Sequence, residues 1–242
     1  MIKKILSTLL VSSALLIFAA TGSMADRPTF AIGYTAAYGG YEATGQENEG
    51  AASPQEIATK NEAGEIAYSS LFMEVSFADR VTIGASWMID AVETSMSERT
   101  DTLCSSSDNC TTSGDDTGTS TVKAEFENLV TGYVELNIWN GLYAKYGIME
   151  MDVNTKESLH TDSSYPNTTM DGETYGFGWK GSFDNGVFIK TETLMQDWSD
   201  LKLTASSNAD TSGTPAVSVV NANTVEASLS GAVATISIGK AF

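Results

Sequence analysis

Apolar and polar residues alternate through most of this chain. Phe30, Ile32, Tyr34, Ala36 and Tyr38 share one face of a first segment. Leu71, Met73, Val75 and Phe77 share one in a second; Val81, Ile83, Ala85, Trp87 and Ile89 share one in a third. A fourth carries Val122, Ala124, Phe126, Val130, Val134, Leu136 and Ile138 in one phase. Lys123, Glu125, Glu127, Thr131, Tyr133, Glu135 and Asn137 hold the other phase. Leu142, Ala144, Tyr146 and Ile148 mark a fifth segment, and Tyr175, Phe177, Trp179 and Phe183 a sixth. Val187, Ile189, Thr191 and Met195 mark a seventh, and Ala232, Ala234, Ile236, Ile238 and Phe242 an eighth. Successive strand side chains point to opposite faces, so each segment predicts a strand with one apolar side.

The connections alternate between tight and long. Ala78-Asp79-Arg80, Asn140-Gly141 and Asp184-Asn185-Gly186 are tight, and Asn-Gly tolerates the positive φ of a two-residue hairpin. The long ones run roughly over 42–64, 91–120, 152–172 and 196–224. Segments such as Phe30 to Tyr38 and Val130 to Ile138 are nine residues long. A tilted membrane strand needs about 9–11. Backbone groups in lipid must all be paired, so strands that cross it close on themselves. The predicted fold is all-β: a membrane-spanning, antiparallel, up-and-down barrel of eight strands. Leu201 and Leu203 alternate in a further stretch, which either extends the last hairpin above the membrane or adds strands to the barrel. A secreted β-sandwich also alternates, but it does not require short and long connections in strict turn. Lys240 sits in the phase of Ile238 and Phe242, close enough to an interface to snorkel.

The first residues add a destination. Lys3 and Lys4 precede an apolar run from Ile5 to Ala20, and Ser23-Met24-Ala25 supplies a small-residue cleavage site. Residues 1–25 are therefore expected to be a removed signal peptide, leaving 26–242 as the barrel with its four long loops. The formal charge of −18 becomes −20 without Lys3 and Lys4. Such a chain presents no basic face for nucleic acid. Cys104 and Cys110 lie in a Ser/Thr/Asp-rich stretch, and passage through an oxidising compartment predicts a disulfide between them. Zinc would need further Cys or His, and His160 is the single histidine.

With signal sequence, hairpin rhythm and terminal Phe242, the chain from residue 26 resembles the small eight-stranded bacterial outer-membrane barrels of the OmpA/OmpX type. The resemblance implies an outer-membrane location, tight turns on the periplasmic side and long loops outside. It also implies Phe242 as a signal read by the barrel-assembly machinery, and a monomer. Such families include structural anchors, adhesins, lipid-modifying enzymes and small channels. With nothing after Phe242, no C-terminal peptidoglycan-anchoring module is expected.

The inward phase carries Glu74, Glu135, Lys145, Lys180, Lys190 and Glu192, all at a similar distance from the tight turns. They are expected to meet as a charge network across the lumen, with Tyr133, Tyr143 and Met149 filling space. A lumen of eight strands is only wide enough for its own side chains, which favours a plug over a selectivity ring. Outside, Glu47, Glu49, Glu56, Glu62, Glu93, Glu98, Asp101, Asp108, Asp115 and Asp116 give acidic loops. They suit a solvated surface, or divalent-cation bridging to lipopolysaccharide phosphates or to another cell surface. The spacing of a calcium loop is missing. His160, Asp162 and Ser163 adjoin one another, but neighbours in a loop do not make a triad. The expectation is a structural or surface-interacting protein that is not an enzyme and has no cofactor, metal or catalytic residue. A small-solute channel comes second and an outer-membrane hydrolase third.

Overall fold

The computed structural model describes residues 28–49, 56–78, 80–103, 116–159, 164–206 and 224–242. They form eleven strands: β1 (Thr29–Glu49), β2 (Glu56–Phe77), β3 (Val81–Met88), β4 (Val92–Glu93), β5 (Ser97–Leu103), β6 (Asp116–Trp139), β7 (Leu142–Ser158), β8 (Thr168–Ser182), β9 (Val187–Trp198), β10 (Leu201–Thr204) and β11 (Thr224–Ala241). Eight of them make a ring in the order β1-β2-β3-β6-β7-β8-β9-β11, closed by antiparallel pairing of β11 with β1. β4 and β5 pair with β6, and β10 pairs with β11. The Leu201 and Leu203 segment thus extends the last hairpin and leaves the ring at eight.

Two of the tight turns match their residue types. Asn140 and Gly141 both take positive φ, at 47° and 82°. Gly186 takes φ 80° and donates its N–H to the Phe183 carbonyl. The apolar phase faces outward across the ring: Ile32, Tyr34, Leu71, Leu136, Phe177 and Ile238 are all exposed. A band of this size has no place on a water-soluble monomer. A closed ladder inside an apolar belt is the arrangement lipid demands. Phe30, Phe183 and Phe242 border the belt at the tight-turn end, also exposed.

Beyond the belt the strands continue. The first connection, read from sequence as 42–64, is strand through Glu49 and again from Glu56. The β1–β2 ladder runs unbroken from Thr29↔Ser76 to Glu49↔Glu56. Glu47 and Glu62 therefore lie on paired strands rather than in loops. The connections near 152–172 and 196–224 likewise begin as strand, through Ser158 and Trp198. In the β1 and β2 extensions both faces meet water, so alternation there lacks an apolar phase and carries little sequence signal.

The phase read for the fourth segment fails at its first half. β6 is shifted against β7 between Glu127 and Val130, where Asn128 takes φ 57°. This bulge places one extra residue in β6 and exchanges the two faces. Val130, Val134 and Leu136 face lipid as expected. Phe126 instead packs with buried Leu129 and Val153 inside the barrel. Val122 and Ala124 share its phase, so they too leave the outer face. Glu125 and Lys123 take their place outside.

Candidate functional site

The lumen of the belt is filled in layers. At the tight-turn end Phe72 and Phe188, 4% and 1% exposed, tilt against each other beside Ala31, with ring centroids 6.1 Å apart. The next layer is ionic. Lys190, from β9, donates to Glu74 of β2 and to Glu135 of β6, and lies 3.8 Å from Glu192. Lys145, from β7, donates to both oxygens of Glu192 at 3.0 and 3.1 Å, and lies 3.8 Å from Glu135. Tyr133 donates to Glu74 at 2.8 Å, Tyr143 to Glu192 at 2.7 Å, and Thr235 to Glu192 at 3.1 Å. The ammonium of Lys145 also stands 3.9 Å from the Tyr133 ring centroid. Glu74, Glu135, Lys190 and Glu192 are at most 6% exposed. Charges buried to this degree are stable only when paired and hydrogen-bonded.

Five of the six inward charges singled out from sequence meet here. Among the described residues Lys180 makes no ion pair with them: its Nζ lies 4.2 Å from the Phe188 ring centroid, and its charge reaches Glu74 only at longer range. The meeting set is three carboxylates and two ammoniums, and the Oε2 of Glu74 has no hydrogen-bond partner among the described residues.

Four glycines make room for the aromatic rings. Gly33 lies directly opposite Phe72, Gly84 opposite Tyr133, Gly178 opposite Tyr143 and Gly239 opposite Phe188. A Cβ on Gly84 would sit 2.4 Å from Cζ of Tyr133, and one on Gly178 would sit 2.4 Å from Cζ of Tyr143. Each ring therefore lies flat over the neighbouring strand, which aims the two phenols at the carboxylates. Sequence reasoning missed this. Phe72 and Phe188 share the phase of Glu74 and Lys190, a signal that was present; the glycine partners appear only once the register is known.

Beyond the charges lies a chamber of about 40 Å³ with a mixed lining: Lys145, Lys190, Glu192, Thr35, Ser70 and Thr174 on its polar side and Phe72, Leu129 and Leu194 on its apolar side. That is room for roughly three waters at ~10–15 Å³ each. The hydroxyl of Thr174, a residue 1% exposed, has no hydrogen-bond partner among the described residues. Over the chamber, Tyr41 and Tyr68 meet Gln196 by hydrogen bonds. Met88, Met149, Met151, Met170 and Trp198 pack as an apolar lid.

On the outer wall past the bulge, Glu93 receives Lys123 and Lys156, and Glu125 receives Lys156 at 2.5 Å. Hydrogen bonds from Lys123 and then Lys156 hold the Glu93 carboxyl below its ordinary value. Cys104, Cys110, Asp108, Asp115, His160, Asp162 and Ser163 lie outside the described residues, so the disulfide and the histidine trio have no geometry here. Among the described residues no group of His, Cys, Asp and Glu is placed to hold a metal ion.

No family model matches the chain, and no curated protein does. Solved structures do. The outer membrane protein OprG from Pseudomonas aeruginosa is 12% identical with a TM-score of 0.50, over 88% of this chain and 95% of that one. The outer membrane protease OmpT from Escherichia coli is 9% identical at TM-score 0.42, over 92% and 99%. The attachment invasion locus protein Ail of Yersinia pestis is 12% identical at 0.30, over 84% and 98%. The first of these carries the fold: this chain has the outer-membrane β-barrel fold.

Proposed function

We propose that this is an outer-membrane barrel whose lumen is sealed by its own side chains and whose function resides on its extracellular surface. The supporting observation is the ionic layer, held between an aromatic pair and a methionine-rich lid. A solute would have to displace five mutually paired buried charges and two packed layers. Sealing the lumen leaves the lipid-facing wall and the extended hairpins as the working surfaces. We place the tight turns in the periplasm and the extended hairpins outside. The acidic outer residues fit lipopolysaccharide contact through divalent cations. The chain works as a monomer, delivered by the barrel-assembly machinery, and does no chemistry of its own.

The channel reading draws on one observation, the chamber beyond the charges. About 40 Å³ accommodates water but no sugar or amino acid. Swelling of vesicles containing the refolded barrel, in an isotonic small sugar, tests the seal. Swelling no faster than in protein-free vesicles supports it, and sugar-dependent swelling overturns it.

A further inference from the structure

We propose that the methionine-rich lid of the lumen is a binding site for a soft univalent metal ion, copper(I) or silver(I). The thioethers of Met149, Met151 and Met170 hold the ion against the ring of Trp198. This goes beyond the sealed-lumen reading and does not depend on it.

The register puts these side chains in two neighbouring rows. Met149 of β7 lies opposite Gly172 of β8, and Gly172 lies opposite Trp198 of β9. A Cβ on Gly172 would sit 2.8 Å from Cε3 of Trp198, so the indole lies over β8, on the side of Met149. In the next row Met151 lies directly opposite Met170. Residues two apart on a strand share a face, so all four point into the lumen. Met88 joins them from β3 in one buried cluster, in which no member is more than 9% exposed.

Packing alone does not call for this set. Of the nine methionines in the chain, Met1 and Met24 precede the barrel, and Met73, Met96 and Met195 are exposed. The other four all lie in this cluster. Leucine fills a core in better-defined rotamers, and methionine specifies one poorly. Trp198 carries a second cost. Its Nε1 is buried with no hydrogen-bond partner among the described residues, and phenylalanine would pack there without an orphaned donor. Both choices suit a soft cation. Thioethers are polarisable ligands that select copper(I) over harder ions. The unbranched methionine side chain turns about three bonds, which lets sulfurs from two rows reach one centre. Among aromatic rings, indole presents the face that best attracts a cation.

Thioethers bring no charge, so the charge of the ion must be balanced nearby. The ionic layer across the chamber does this. Its mutually paired groups are three carboxylates and two ammoniums, which leaves one negative charge in surplus. Inside a protein such a charge is screened far less than in water.

The test uses the refolded barrel, residues 26–242, in neutral-lipid nanodiscs and chloride-free nitrate buffer. Any free thiol is blocked with iodoacetamide, and at pH 5 an ordinary imidazole is protonated and cannot compete. The probe is silver(I), read through the ¹³C-labelled methyl groups of methionine. The inference expects one equivalent of silver to move the Met149, Met151 and Met170 signals together. The exposed Met73, Met96 and Met195 should need at least tenfold more. Potassium at the same concentration should move none of them. Met151→Leu with Met170→Leu keeps the apolar volume and should weaken binding at least tenfold; Trp198→Phe should weaken it about threefold. Buried methionines that ignore silver, or that respond only along with the exposed ones, overturn the site. So does unchanged affinity in a folded double-leucine variant. If that variant fails to fold, the order of response in the unaltered barrel decides.

Discussion

Lys190→Met is the sharpest perturbation of the lumen. Methionine keeps the length and apolar stem and removes the ammonium. Lys190 is the residue on which Glu74 and Glu135 both converge, and its side chain is 2% exposed. Its loss leaves two buried carboxylates facing each other. Glu74 keeps the Tyr133 hydroxyl, and Glu135 keeps Lys145 at 3.8 Å. Breaking a buried pair by removing one partner costs about 3–5 kcal/mol. At 1.36 kcal/mol per decade that is roughly two to four decades in the unfolding equilibrium. The assay is reversible urea unfolding in lipid vesicles followed by tryptophan fluorescence. The pairing also predicts a coupling: Glu135→Gln should cost at least about 1 kcal/mol less in the Lys190→Met background than alone. A Lys190→Met barrel within about 1 kcal/mol of the unaltered one, with additive effects, would refute the reasoning.

Other outcomes follow from the same geometry. Lys145→Ala should lose about 2–4 kcal/mol by the same unfolding assay while vesicle permeability stays at background. Gly84→Ala drives a methyl into the Tyr133 ring and should break the Tyr133–Glu74 hydrogen bond, costing about 1–3 kcal/mol; Ser86→Ala nearby serves as a control expected to change little. Asn128→Ala should cost about 1–2 kcal/mol, since alanine is strained at φ 57° and the Asn128–Asp152 hydrogen bond is lost, whereas Asn128→Gly should recover the backbone part. The Glu93 carboxyl is held below its ordinary value, so its small contribution is present above the unfolded value and lost as pH falls through the folded one. Unfolding from pH 7 to pH 3 at low salt should therefore show a shallower acid loss for Glu93→Gln, and high salt should erase the difference.

The ring was legible because lipid imposes a strict rule. Within the belt every second residue must be apolar, and Ile32 to Tyr38 or Leu136 to Ile138 could be placed without coordinates. The inward charges were legible by the same parity, and five of them meet. Parity failed where lipid stops. In the extensions of β1 and β2 both faces meet water, so strand and loop look alike, and they were read as a loop. A single inserted residue at Asn128 reversed the faces of Val122, Ala124 and Phe126, and nothing in an Asn between Glu127 and Leu129 marks a bulge. Lys180 has the right parity but sets its ammonium over the Phe188 ring instead of joining the ion pairs. The four glycine seats are properties of register, which alternation along one strand does not contain.

Single-channel recording of the refolded barrel, residues 26–242, in a planar bilayer bears most directly on the sealed lumen. Folding is verified in the same preparation by the change in gel mobility that heating produces. The paired charges predict silence at moderate voltage, with Lys190→Met the variant most prone to leak. Stable, cation-selective steps from the unaltered barrel would mean that Glu74, Glu135 and Glu192 line an open path, and would contradict the seal.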